Sequence, residues 1–142
     1  MEQMNLPRGI RNNNPLNIRV GNAWVGEVEH PNDNQFEQFT TMVYGLRAGF
    51  IILRRYIERY HCNTIEGIIS RWAPANENNT GHYILAVSSM MGISPTAKIS
   101  FADEVSMTAL VAAMIKVECG CDVDDKEILA GYRMAKNGYY YM

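Results

Sequence analysis

Residues 103–120, DEVSMTALVAAMIKVECG, constrain this chain more than any other stretch. Apolar side chains from Val105 to Val117 cover most of the circumference of a 3.6-residue helix, so the segment is expected to be buried on most sides. A helix of that kind is a spine and needs partners around it. The sequence supplies them. Val43, Leu46, Phe50, Leu53 and Ile57 recur at spacings of three and four, which predicts an amphipathic helix from Thr41 to about His61. Thr64 can cap a short helix IEGIISRW that Pro74 stops, and Thr80 can cap GHYILAVSSMM, with Gly92 past its end. Asp124 and Glu127 have the spacing of a capping box and open a last helix DKEILAGYRMAKN, stopped at Gly138.

The first 40 residues read differently. They are dense in Asn, Gly and Pro, with short β-like pieces NIRV, AWVGEVE and QFEQF, which predict a small irregular β-hairpin region. A chain of 142 residues, nearly half of them apolar, can bury one core. The expectation is therefore one α+β domain over 1–142, mainly α-helical, with hairpin region 1–40 and helical region 41–138.

Charge and cysteine usage exclude several classes. A net charge of −2 argues against a domain whose main partner is nucleic acid. Three cysteines are an odd number in a chain of this size, so no disulfide framework is expected. No run approaches the ~18 apolar residues of a membrane span, and the N-terminus lacks a signal-peptide pattern. Synthesis in the bacterial cytoplasm without a signal peptide, and no membrane insertion, are the expectations. The ligand types Cys119, Cys121, His61 and Cys62 do not have zinc spacing, and neither metal nor cofactor is expected. Cys119 with His61 or His82 would make a nucleophile pair, with no third orienting group in a motif. Arg47, Arg54, Arg55 and Arg59 read as a solvated helix face.

The chemistry candidate lies at the end of the spine. Glu118 closes the most apolar helix just before Cys119-Gly120. Apolar surroundings and the negative end of the helix dipole both disfavour its charged form, so it is expected to hold its proton. A protonated carboxyl is what a general acid for glycosidic cleavage requires.

RGIRNNNPLNIR at 8–19, Trp24 with Gly26, DNQFEQF at 33–39, YGLRAGFIIL, the RWAP and ENNT pieces and the late IKVECG resemble the phage and prophage proteins that open with RGIRNNNPGNIR. Those are often labelled virion structural proteins and are similar to lysozyme-like murein-degrading enzymes. This chain has Leu16 where the group has glycine, and VECG where it has HENG, with the glutamate retained as Glu118. The resemblance implies a lysozyme-like fold and cleavage of the β-1,4 glycan of peptidoglycan by Glu118, at the cell wall or from a phage particle, with other virion proteins as partners.

A second carboxylate would sit at about 5 Å as nucleophile or about 6.5 to 9.5 Å as base. Glu27 and Asp33 are the candidates, although lytic transglycosylases manage with one glutamate because the substrate supplies the nucleophile. Glycans are bound by amides and aromatic faces, which nominates Asn12, Asn14, Arg19, Trp24, Trp72, Glu77, Asn78 and Tyr83. Each has an ordinary role too, tryptophans in cores and asparagines in turns. Asn13 and Asn17 are expected to be the more structural amides of the loop. Two other readings stay open: a non-catalytic virion or cell-wall-binding protein with the same fold, and a murein peptidase.

Overall fold

A computed structural model describes residues 6–76 and 78–138. Among these the chain forms six helices: α1 (Arg8–Arg11), α2 (Met42–Glu58), α3 (Ile65–Trp72), α4 (Thr80–Met91), α5 (Glu104–Cys119) and α6 (Asp125–Asn137). The architecture is mainly α. Four of the helices start on an expected or adjacent cap. Thr41 and Thr64 accept the backbone N–H groups of Tyr44 and Gly67, Asp103 accepts that of Ser106, and Asp124 that of Lys126. The cap of α4 differs from expectation. Asn79, not Thr80, accepts from the backbone of His82, while the Thr80 hydroxyl donates to the Ala73 carbonyl and ties α4 back to the end of α3.

α5 is a spine with one wet side. Met107, Leu110, Val111, Met114 and Ile115 are buried, against α4 and α6, whereas Val105 is 77% exposed and Ala109 and Lys116 also face solvent. The expectation of burial on most sides is thus only partly met: three helices pack on it, and none covers the stripe through Val105. α2 lies along α6 and buries Leu46, Phe50, Leu53 and Ile57 as its periodicity required. Its arginines do not form one solvated face. Arg47 is 3% exposed and donates to the Gly138 carbonyl at 3.1 Å. Arg54 pairs with Glu58 at 2.9 Å and donates to the Lys136 carbonyl at 3.2 Å, so both fasten α2 to the end of α6.

The expected N-terminal β-hairpin does not form. Among the described residues there is no strand, only isolated antiparallel bridges, Arg19 with Phe36 and Glu27 with Phe39 in this region. The reason is local. Segment 35–40 is shared by two partners, giving Val20 N–H to Gln35 O and Glu37 N–H to Ile18 O on one side, and Val28 N–H to Gln38 O and Thr40 N–H to Gly26 O on the other. The first of these ladders stops where the Asn14 side chain enters it. Asn14 donates to the carbonyls of Ile18 (2.9 Å) and Glu37 (3.0 Å) and accepts from the Ile18 N–H at 2.9 Å. An amide side chain here does the work of a further backbone segment.

The loop also reaches the helical part. Asn13 takes φ 53°, a left-handed conformation that asparagine tolerates, and its carbonyl lies so close to Gly45 of α2 that a Cβ there would come within 1.8 Å of the oxygen. Leu16, where the resembling group has glycine, is buried and packs on Gly49 of the same helix. The leucine fills the space that Gly49 leaves open, as the Asn13 carbonyl does at Gly45.

Candidate functional site

α5 delivers Glu118 to its last turn, and Gly120 in the left-handed conformation ends the helix. Three donors converge on the half-buried carboxylate. Asn17 Nδ2 lies 3.2 Å from Oε1, and Trp72 Nε1 and the Tyr83 hydroxyl lie 3.3 Å and 3.0 Å from Oε2. They come from the asparagine-rich loop, the end of α3 and the first turn of α4, which the spine brings together at one point. Burial, reinforced by the charge of Glu118, pushes the Tyr83 phenol far above its ordinary range, so it remains a donor at any physiological pH.

Asn17 is placed by strain and close packing. It has φ 54° and also approaches the Glu118 backbone carbonyl at 3.4 Å. Beneath it, Gly9 of α1 leaves room: a Cβ there would meet Asn17 Oδ1 at 2.6 Å and Cys119 Sγ at 2.8 Å. Cys119 donates to the Pro15 carbonyl at 3.2 Å and latches the helix end to the loop. Burial first, then the charges of Glu118 and Cys121, pushes the thiol up to about 11. A thiol that stays protonated is a poor nucleophile, which weighs against the Cys119 peptidase reading.

A groove of about 340 Å³ opens over Glu118, with Asn17, Arg19, Phe36, Tyr56, Trp72 and Asn78 along its walls. Arg19 lies over the Phe36 ring at 5.1 Å, and Asn78 donates to the Pro74 carbonyl at 3.3 Å. Among the described residues Glu118 is the one carboxylate lining this groove. Of the nominated residues, Glu118, Arg19, Trp72, Asn78 and Tyr83 therefore come together. Glu77 lies outside the described residues.

Others are placed elsewhere. Asp33 accepts from Arg8 Nε and Nη2, both at 2.7 Å, from Asn12 Nδ2 at 2.9 Å, and from the backbone of Gln35 and Phe36. The Arg8 guanidinium holds it far below the usual carboxylate range, and so saturated a group has nothing left for a reacting substrate. Asn12 is spent on the same lock, accepting from Gln38 at 3.0 Å while donating to Asp33. Asn14 is 0% exposed and cannot touch a ligand. Glu27 does not line the groove but faces Glu37, and Trp24 is buried beside a neighbouring hollow. Within the asparagine loop the expected division is thus inverted, except at Asn13, which donates to the Phe39 carbonyl: Asn12 and Asn14 build, and Asn17 reaches the site.

Tyr56 and Ile52 were missed. They are four apart on α2 and fall outside its buried stripe, which is the signal that could have found them. Metal chemistry gains no support from the geometry: among the described residues no three His, Cys, Asp or Glu side chains are grouped to hold an ion. No described helix is long and apolar enough to cross a membrane.

No family model matches the sequence. It is 48% identical over 117 residues to Protein P5 of Pseudoalteromonas phage PM2, a match that spans 80% of this chain and 71% of that protein. At that identity and coverage, the chain belongs to the family of this phage protein.

Proposed function

We propose that this protein is a virion-associated phage enzyme that cleaves the β-1,4 glycan of peptidoglycan, with Glu118 as its acid and base. The observation that carries the reading is the convergence of Asn17, Trp72 and Tyr83 on one carboxylate at the floor of a groove lined with amides and aromatic rings. Those wall groups suit sugar hydroxyls, N-acetyl groups and ring faces. With Asp33 locked and Glu27 turned to Glu37, the chemistry that fits the described residues uses one carboxyl. Glu118 gives its proton to the glycosidic oxygen as the bond to the anomeric carbon breaks. The resulting carboxylate then takes a proton from a hydroxyl of the substrate itself, which closes on that carbon, as in lytic transglycosylases.

A second reading is a cell-wall-binding virion protein without catalysis. One observation favours it: the Glu118 carboxylate is already satisfied by three protein donors, as a purely structural polar cluster would be. Turbidity of a murein suspension separates the two. Wild type clears it and releases glycan fragments without new free amino groups, and Glu118→Gln loses about 10³-fold of that rate. If both proteins sediment with murein and neither clears it, the binding reading replaces the enzyme; new amino groups would mark a peptidase.

A further inference from the structure

The groove over Glu118 does not end at Tyr56. On the far side of Ile52 and Tyr56, which line both, a second hollow of about 460 Å³ is walled by Trp24, Arg55, Tyr60 and Arg71. Each of its two guanidiniums lies on an aromatic face. Arg71 is 3.8 Å from the centre of the Tyr60 ring and 5.2 Å from that of Tyr56, and Arg55 is 5.9 Å from the Trp24 ring. Neither forms an ion pair among the described residues, while Arg8, Arg54 and Arg133 each do. What sets these two apart is that they share one hollow, each laid on an aromatic ring that lines it.

Stacking fixes the plane of a guanidinium and leaves its edge N–H groups free to donate. Two such edges beside a sugar-sized groove form a receptor for carboxylates carried off the line of a polymer. We propose that this trough is an anion subsite of the Glu118 groove and that it takes the free carboxylates of the peptide stems on a murein strand. This rests on the glycan reading above and adds to it a preference: a strand bearing stems over a bare glycan. Nucleic acid is the less favoured occupant, because the groove that continues the trough is lined by amides, aromatic rings and the single cation Arg19, not by the row of positive charges that follows a phosphate backbone.

Calorimetry in a Glu118→Gln background reads binding without turnover. The probes are soluble murein strands carrying peptide stems, the same strands after enzymatic removal of the stems, and a DNA duplex. Stem-bearing strands should bind about tenfold more tightly than bare ones. Replacing Arg55 and Arg71 together with Gln should bring the two within about twofold, with bare-strand affinity unchanged and the remaining affinity less salt-dependent. The exposed single variant Arg71→Gln, checked by its melting curve, gives part of that loss and carries the test if the double variant unfolds. Equal affinity of the unmutated trough for both strands, a preference that survives in the folded Arg71→Gln and double variants, tighter binding of DNA than of stem-bearing strands, or no binding of any probe overturns the subsite. Clearing of murein by the wild type without a stem preference overturns the subsite and leaves the catalytic reading; stem preference without cleavage does the reverse.

Discussion

Two carboxyl sites of this molecule stand in opposite surroundings. Glu118 is half-buried, opens on a groove and receives three donors from three separate elements. Glu37 is only 7% exposed and faces Glu27, and no other described group donates to the buried Oε2 of Glu37 or Oε1 of Glu27. Burial, then the hydrogen bond and charge of Glu27, pushes Glu37 up to about 7, so near neutrality the pair shares a proton. A strongly shifted carboxyl is therefore not by itself the mark of a site, since Glu37 is buried away from the groove that opens over Glu118.

The scaffold that separates the two sites is the largest effect to test. Asn14→Leu keeps volume but leaves the Ile18 N–H and the Glu37 carbonyl without their side-chain partner, at about 1–3 kcal/mol each. A loss of about 3 kcal/mol, or roughly 10 °C in melting temperature for a domain of this size, is expected by calorimetry. A variant melting within about 2 °C of wild type would mean that the loop does not depend on this amide.

On the groove side, Asn17 combines a strained backbone with a contact to Glu118, and two substitutions separate them. Asn17→Ala keeps the left-handed cost and Asn17→Gly removes it, so the glycine variant should melt about 3 °C above the alanine one. Both should clear murein about tenfold more slowly, since both lack the amide that orients the carboxylate. Full activity in either would put Asn17 outside the site.

The smallest effect lies at the pair. Glu37 has a folded-state value of about 7 against an ordinary 4.5, so the folded protein binds the proton more tightly than the unfolded chain. Its contribution to stability is complete below about 4.5 and is lost as pH rises to about 7. Glu37→Gln should flatten this fall in a melting-temperature profile and melt above wild type at alkaline pH, with murein clearing unchanged.

The helices were legible from sequence because their signals are local. The stripe Leu46, Phe50, Leu53, Ile57 and the caps Thr64 and Asp124 act within a few residues, and Glu118 was reachable because it ends the most apolar run. Region 1–40 was not legible, since its bonds are made at long range. Asn14 reaches Glu37 and Asn12 reaches Asp33 and Gln38, so amides that looked free for a ligand are consumed by partners over 20 positions away. Asn17 shows the reverse, because its partner is 101 positions away and no turn rule could have announced it. The exposed stripe of α5 was missed because composition gives the number of apolar faces and not the number of neighbours available to cover them.

That Glu118 works without a second carboxylate is tested most directly by murein cleavage in water enriched in heavy oxygen. Mass spectra of the products from wild type, Glu118→Gln, Glu27→Gln, Asp33→Asn and Glu77→Gln should show new glycan ends without solvent oxygen, closed by the substrate's own hydroxyl. Cleavage should be lost only in Glu118→Gln. Heavy oxygen in the new ends, with a comparable collapse of rate in one of the other carboxyl variants, or no cleavage by the wild type at all, would contradict the account.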